Sequence, residues 1–114
     1  MLDLIQKGKK TIMKLLRHIV GMTLRKDILD ADKKIILQRI KSDLEGLKNV
    51  IPCIAELTVH IDLLPTSNME FVIDSAFANN DAFMEYQVHP AHASIAEFIG
   101  TVRADRTCYD YYDE

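Results

Sequence analysis

The sequence predicts a single α+β domain whose elements follow the order strand, helix, strand, strand, helix, strand. Two patterns in the 114 residues carry this prediction. Apolar and polar residues alternate in several short segments, as they do in half-buried strands. Between residues 36 and 51, by contrast, apolar residues recur at steps of three and four, as they do in an amphipathic helix.

The first strand is predicted over Leu16–Leu24, a short apolar segment that is partly β-branched. Its even-numbered residues share one face: Leu16, His18, Val20, Met22 and Leu24. A helix follows, with Asp30 or Asp32 as its cap and Pro52 beyond its end, because the residue before a proline avoids helical geometry. Its apolar stripe is Ile36, Ile40, Leu44, Leu47 and Ile51.

The next two segments read as the second and third strands. Ala55–Leu63 alternates between apolar and polar residues, which predicts a strand with one buried face. Residues 65–68 have loop composition, and Glu70–Ala78 forms the third strand. The residues expected to share its inner face are Phe71, Ile73, Ser75 and Phe77.

The second helical region is predicted in two pieces. Asn79, Asn80 and Asp81 supply turn and cap chemistry before a short helix near residues 82–88. Pro90 suits the first turn of a further helix, where its missing N–H costs nothing. Thr107–Tyr112 is expected to close the chain as a fourth, aromatic strand.

This order predicts a ferredoxin-like β-α-β-β-α-β fold, with both helical regions on one face of a four-stranded antiparallel sheet. The other face carries both polar and apolar residues and is left uncovered, so it is suited to pack against a second copy of the chain. We therefore expect a homodimer in which two sheets pack face to face as a dimeric α/β barrel. The alternative is that this polar face simply meets water.

The segment Tyr86-Gln-Val-His89-Pro90-Ala91-His92 is the most distinctive chemical feature. His92 lies in the first turn of a helix, where the helix dipole keeps the imidazole neutral and suited to act as a general base. Tyr86 is placed to donate a hydrogen bond to a carbonyl oxygen. His89 is a further candidate ligand-binding residue. The alternatives stay open: His89 only caps the helix or donates a hydrogen bond to a neighbour, and His92 is a structural, half-buried histidine.

His18 and Asp110 form a second candidate pair. A histidine on the buried face of the first strand needs a polar partner, and the fourth strand is its neighbour in this fold. Asp110 is expected to orient His18, either for ligand binding or as a structural hydrogen bond. No metal site is predicted, because His89 and His92 lack a third ligand and no second cluster of His, Cys and carboxylate residues is evident.

The composition of the chain indicates which kinds of partner and which cellular location to expect. A net charge of −3 and basic residues that do not alternate with aromatics argue against nucleic acid. No apolar run is long enough to span a membrane, and Cys53 and Cys108 form no disulfide framework, so a cytoplasmic location is expected. Residues 1–13 are expected to be a flexible N-terminal extension to a domain at 14–114, with Met13 as an alternative start.

The sequence resembles the stress-responsive A/B barrel domain (Dabb) family over roughly residues 16–112. The resemblance rests on Arg17-His18-Ile19-Val20, Ile51-Pro52, His89-Pro90-Ala91-His92 and Tyr109-Asp110-Tyr111. It implies a homodimeric barrel and a cavity between sheet and helices. Among such proteins, plant polyketide cyclases close a linear polyketide by aldol condensation without a cofactor.

By that resemblance His92 is the general base, Tyr86 anchors the substrate, and His18 and Asp110 line the pocket. The cyclases have a polar aromatic residue where this chain has Leu44, which argues against a polyketide substrate. Because no residue pattern requires a particular reaction, the favoured function is binding of a small hydrophobic or carbonyl-containing ligand without catalysis and without a cofactor. The alternative is a cofactor-independent lyase or cyclase; a cofactor-independent oxygenase on a related barrel is a third possibility.

Overall fold

The computed structural model describes residues 14–113, which form one four-stranded antiparallel sheet covered by three helices. The strands are β1 (Leu16–Leu24), β2 (Ile54–His60), β3 (Phe71–Phe77) and β4 (Arg103–Tyr112), and the helices are α1 (Asp30–Gly46), α2 (Asn80–Val88) and α3 (Pro90–Val102). The sheet order is β2-β3-β1-β4, which confirms the predicted ferredoxin-like α+β fold. The predicted extension at residues 1–13 lies outside the described residues.

Strand β1 has the predicted bounds and forms the centre of the core. Its even-numbered residues are all buried, including His18, which is only 6% exposed. They lie against the apolar residues of the helices and of β3, among which Phe71 and Phe77 are fully buried. The alternation along β1, which only the buried Gly21 interrupts, therefore separates a helix-facing side of the sheet from a free side.

Helix α1 begins at Asp30, with Leu29 as its N-cap, so the predicted capping by Asp30 or Asp32 is wrong. Both aspartates instead lie in the first turn, where their charges still favour the helix dipole. The predicted apolar stripe continues beyond the helix into a 3₁₀ turn at Leu47–Asn49, and Ile40, Leu44, Leu47 and Ile51 are all buried.

Strands β2 and β3 are shorter than the alternation suggests. The last pairing of β2 is His60 with Val72, so β2 ends at His60 and not at Leu63. The register shifts between Ile54 and Glu56, which leaves Ala55 exposed instead of on the inner face. The alternation continues to Leu63 because Ile61 and Leu63 remain partly buried after the ladder has ended.

The outer edge of β2 is covered by two charged residues of α1. The amide of Val59 donates a hydrogen bond to Glu45 Oε2 (2.9 Å), and its carbonyl accepts one from Lys41 Nζ (2.7 Å). The two side chains also pair with each other at 2.8 Å. This contact satisfies backbone groups that an edge strand would otherwise present to another chain.

Helices α2 and α3 meet at a proline junction and carry the motif residues into the core side of the sheet. Asn79 caps α2 by accepting a hydrogen bond from the Ala82 amide (2.9 Å), as predicted. Pro90 occupies the first turn of α3. Helix α3 then passes directly into β4 at Arg103, four residues before the predicted start at Thr107, because the chain turns at Val102–Arg103 without an intervening loop.

Candidate functional site

A cavity of about 280 Å³ lies between the helix-facing side of the sheet and the helices. Its lining residues are His18, Val20, Met22, Leu44, Ile73, Tyr86, Gln87, His92, Ala96, Ile99, Gly100, Arg103 and Arg106. Seven of these thirteen residues are apolar or glycine and six carry polar or charged groups, so the wall can contact both an apolar and a polar part of a small molecule. Three predicted site residues, His18, Tyr86 and His92, therefore share one cavity.

His18 reaches this cavity from β1 and is held by Asp110 on β4. The two residues are direct partners in the antiparallel ladder, and His18 Nδ1 lies 2.5 Å from Asp110 Oδ1. Because a carboxylate only accepts, the proton belongs on Nδ1 and the Nε2 lone pair is left free. The predicted pairing is thus present, and Asp110 is connected to the cavity through His18 without lining it.

Tyr86 also lines the cavity and is only 2% exposed. Its ring packs between Phe77 and His92, at centroid distances of 4.9 Å and 4.3 Å. Burial raises the pKa of the Tyr86 hydroxyl to about 12, so the group stays protonated at neutral pH. Tyr86 is consequently a fixed hydrogen-bond donor beside the His92 ring.

His92 lies in the first turn of α3, half-buried, with its Nδ1 3.2 Å from the carbonyl oxygen of Gln87. A carbonyl only accepts, so Nδ1 carries the proton and Nε2 is the basic nitrogen. Burial lowers the pKa of His92 below its ordinary value of 6.5 and outweighs the hydrogen bond to the Gln87 carbonyl, which acts in the opposite direction. Burial therefore favours the neutral imidazole that the position in the first turn of α3 predicted.

His89 has a different place from the other motif residues. Its Nδ1 accepts a hydrogen bond from the amide of Ala91 (3.1 Å), which makes His89 the N-cap of α3. The residue is not part of the cavity wall. The structure therefore supports helix capping by His89, and His89 does not line the cavity as a ligand-binding residue would.

Leu44 lies in the wall of the cavity, where the resemblance to the cyclases predicted that it would replace a polar aromatic residue. It extends from α1 and is 2% exposed. Together with Val20 and Ile73 it makes this part of the wall aliphatic. The wall therefore suits an apolar portion of a ligand and offers it no hydrogen bond.

Arg103 and Arg106 also line the cavity, and sequence reasoning did not single them out. Both lie at the start of β4, which the sequence predicted to begin later. Their ladder partners are Leu24 and Met22, whose side chains face the helices. The sequence does contain a signal for Arg106. If β4 is extended towards its N-terminus, Arg106 lies on the same strand face as Cys108 and Asp110, because side chains two residues apart share a face.

His18, Cys108 and Asp110 lie close together. This corrects the expectation that the chain has no second cluster of His, Cys and carboxylate residues. Their ligand atoms lie within 4.8 Å of one another, with Cys108 Sγ 3.8 Å from His18 Nδ1 and 3.6 Å from Asp110 Oδ1. Zinc accepts these donor types. However, His18 Nδ1 is already bonded to Asp110, and burial together with the Asp110 charge raises the pKa of the Cys108 thiol, so the three groups form a hydrogen-bonded cluster.

The sequence matches the stress responsive A/B barrel domain (Dabb) family over residues 16–113. The chain belongs to this family, as its fold and its motif predicted. A search among curated proteins found no match. Family membership assigns the chain to a group of ferredoxin-like proteins without fixing a specific activity.

Several solved structures share the fold. A dimeric ferredoxin-like protein of unknown function from Bacteroides fragilis is 26% identical, with a TM-score of 0.81 over 87% of this chain and 96% of that one. A hydroxynitrile lyase from Passiflora edulis is 19% identical, with a TM-score of 0.74 over 90% and 96%. A Dabb family protein from Mesorhizobium loti is 20% identical, with a TM-score of 0.69 over 89% and 98%.

Within residues 14–113, no helix combines the length and the apolar character needed to cross a bilayer.

Proposed function

We propose that this chain binds a small ligand with an apolar body and a carbonyl group in the cavity between sheet and helices. The observation that carries the proposal is the pairing of a protonated Tyr86 hydroxyl with a neutral His92 in one cavity that also has an aliphatic wall. Tyr86 would donate to the carbonyl oxygen. His92 Nε2 would accept a hydrogen bond from a neighbouring group of the ligand.

The cavity volume of about 280 Å³ lies near the lower end of the range for small-molecule pockets, which favours a compact ligand. The aliphatic residues Leu44, Val20 and Ile73 would contact its apolar part. Removing apolar surface from water would supply most of the affinity, at about 25 cal/mol per Å². The two polar groups would then select for orientation.

A binding experiment with neutral aromatic ketones and aldehydes, such as acetophenone and its ring-substituted forms, tests this proposal by calorimetry and by NMR titration. We expect saturable binding that weakens about tenfold in Tyr86→Phe, because one buried hydrogen bond is lost. Tyr112→Phe is the matched control, since Tyr112 is exposed on β4 and does not line the cavity. Absence of saturable binding, or equal affinity in both variants, would overturn the proposal.

A second candidate function is a cofactor-independent lyase or cyclase with His92 as general base. The unprotonated His92 Nε2 beside the Tyr86 donor favours it, as does the structural neighbour that is a hydroxynitrile lyase. His92 would remove a proton next to the carbonyl, and Tyr86 would stabilise the oxygen as it becomes negative. Asp110 would hold His18 with its Nε2 lone pair available.

Exchange of α-protons separates the two functions without knowledge of the natural substrate. In D₂O, a catalytic site would exchange the methyl protons of bound acetophenone for deuterium, and His92→Ala would slow this by about 10²- to 10⁴-fold. His60→Ala is the control, because His60 is the last residue of strand β2 and does not line the cavity. If the wild type binds acetophenone but exchanges its protons no faster than buffer does, the catalytic function is overturned and only the binding function remains.

We further propose that the free side of the sheet pairs with a second copy of this chain. The face carries Ile19 on β1, with Tyr109 as its partner on β4, and Tyr109 and Tyr111 are 64% and 51% exposed in the protomer. Large exposed aromatic residues are typical of interface cores. The Bacteroides fragilis relative is described as dimeric.

Sedimentation at micromolar concentration tests the homodimer. We expect a dimeric mass for the wild type and a monomeric mass for Tyr109→Glu, which would place a charge in the interface. Ile35→Glu is the control, because Ile35 is 68% exposed on α1, away from this face. A monomeric wild type would overturn the face-to-face arrangement.

A reducing, cytoplasmic compartment fits the two cysteines. Cys53 and Cys108 are both free thiols, and cytosolic proteins keep thiols reduced. Fluorescence microscopy of the full chain, tagged at its C-terminus, would test the location, and an export to an oxidising compartment would overturn it.

A further inference from the structure

We propose that the ligand of this cavity is an anion, with a carboxylate held by Arg103 and Arg106 at the cavity wall and its carbonyl directed to Tyr86. The proposal deepens the binding function above and rests on it. It names the chemical class of the ligand as a keto acid with an apolar body.

The pairing of the arginines is the first observation. The chain has five arginines, and the three that do not line the cavity each pair with a carboxylate: Arg17 with Glu56, Arg25 with Asp27 and Arg39 with Asp43. Among residues 14–113, Arg103 and Arg106 form no such pair, and both line the cavity. The guanidinium groups without a carboxylate are thus the two that a ligand would meet.

The sign of the charge around the cavity is the second observation. The sequence has a net charge of −3, yet the cavity wall contains two arginines and no aspartate or glutamate. A concave site with one sign of charge and apolar walls concentrates ligands of the opposite sign. The local charge is therefore opposite to that of the whole chain, as an anion-binding site requires.

The placement of the arginines by the fold is the third observation. Arg103 follows α3 directly and pairs with Leu24, whereas Arg106 pairs with Met22. The junction before Arg103 is fixed by Arg25, whose amide donates to Val102 O (2.9 Å) and whose Nη1 donates to Thr101 O (3.2 Å). The backbone that presents both guanidinium groups is consequently tied to β1.

Guanidinium groups suit this role because their planar donors match the two oxygens of a carboxylate. The cavity then offers three kinds of contact: cations at Arg103 and Arg106, aliphatic residues such as Leu44, and the Tyr86 hydroxyl. A ligand that uses all three has a carboxylate, an apolar body and a carbonyl oxygen. Keto acids with an aryl or alkyl body have this composition.

The test compares 4-oxo-4-phenylbutanoate with its primary amide, which has the same shape and no charge. By calorimetry at pH 7.5 in 50 mM NaCl, we expect the acid to bind about tenfold more tightly than the amide, since one charge-assisted hydrogen bond is worth that much. Raising NaCl to 500 mM should weaken binding of the acid and leave that of the amide unchanged, because salt screens exposed charges.

The variants assign the effect to the two arginines. The double variant Arg103→Gln/Arg106→Gln should bind the acid no more tightly than the amide. The control Lys34→Gln/Lys48→Gln removes the same charge from exposed positions outside the cavity and should behave as the wild type. A preference for the acid that persists without the arginines would overturn the assignment.

The remaining outcomes separate this inference from the proposed function. Equal affinities for acid and amide, both weakened by Tyr86→Phe, would overturn anion recognition and leave carbonyl binding intact. Absence of binding by either probe and by the neutral ketones would overturn both.

Discussion

His18 and Asp110 are joined across the β1–β4 ladder, with 2.5 Å between His18 Nδ1 and Asp110 Oδ1. The contact gives a buried imidazole the polar partner that it needs and fixes which nitrogen carries the proton. It also orients the ring, which packs on Phe83 at a centroid distance of 4.7 Å. One cross-strand contact thereby supports both the core and the cavity wall.

Loss of the Asp110 carboxylate is expected to destabilise the fold through His18. Asp110→Ala leaves a buried ring N–H without its acceptor, so we expect a loss of about 1–2 kcal/mol in the free energy of unfolding. Asp110→Asn keeps an accepting oxygen and should lose less. Urea denaturation at pH 7 measures this, with the exposed Asp62→Ala as control. Equal stability of Asp110→Ala and the control would show that His18 does not depend on this carboxylate.

Stability is expected to depend on pH through His92. The pKa of His92 in the folded state lies below its ordinary value of 6.5, so the unfolded chain binds a proton more readily than the folded one. The contribution of this histidine is therefore complete above about pH 6.5, and it is lost as the pH falls through 6.5 towards the lower, folded-state pKa.

The comparison of wild type with His92→Gln between pH 5 and pH 8 isolates this effect, because glutamine does not titrate there. The decline in unfolding free energy towards acid should be shallower in His92→Gln. His60→Gln, at an exposed site, is the control. A decline of the same slope in the wild type and His92→Gln would contradict the low pKa of His92.

His89 is expected to act through the start of α3. Removing its ring in His89→Ala leaves the Ala91 amide without an acceptor and should cost about 1 kcal/mol, as for other N-caps. His89→Asn provides a capping oxygen and should recover most of this loss. Ligand affinity should stay unchanged in His89→Asn. A large loss of affinity in that variant, with the fold intact, would return His89 to the binding site.

Glu45 is expected to stabilise the sheet edge in a manner that depends on pH. Hydrogen bonds from Lys41 and from the Val59 amide lower the pKa of its carboxyl below the ordinary value of 4.5. A carboxyl with a lowered folded-state pKa contributes stability above 4.5, and this contribution is lost as the pH falls through the folded-state value.

Glu45→Ala should therefore cost about 1–2 kcal/mol at pH 7, because the Val59 amide loses its acceptor, and less at pH 3. Chemical denaturation at both values measures the difference. Asp43→Ala, which breaks an exposed pair with Arg39, serves as control and should cost less than about 1 kcal/mol. An equal loss in the two variants at pH 7 would argue against the role of the edge contact.

The sequence predicted the fold correctly where a residue pattern is compatible with only one local structure. The alternation in Leu16–Leu24 defined both the bounds and the buried face of β1, because a shift by one residue would expose its apolar side. The start of α1 was mispredicted, because Asp30 and Asp32 are favourable both as caps and within the first turn, so composition does not distinguish the two.

Features that depend on the register between distant segments were harder to predict. The pairing of His18 with Asp110 was predicted from the strand order alone, because the first and fourth strands are neighbours in this fold. The approach of Cys108 to His18 and the position of Arg106 at the cavity depend on the full β1–β4 register, which local patterns do not contain. The volume of the cavity depends on packing against α1, as the position of Leu44 illustrates.

The parity of β1 divides the molecule into two surfaces that can change separately. Even-numbered residues such as His18 and Val20 meet the cavity, and odd-numbered residues such as Ile19 belong to the free side of the sheet. If the proposed binding and pairing are right, a substitution at an even position would alter ligand binding, and one at an odd position would alter the contact between subunits. Selection, natural or in the laboratory, could then change ligand preference at even positions while the odd positions kept the proposed subunit contact unchanged.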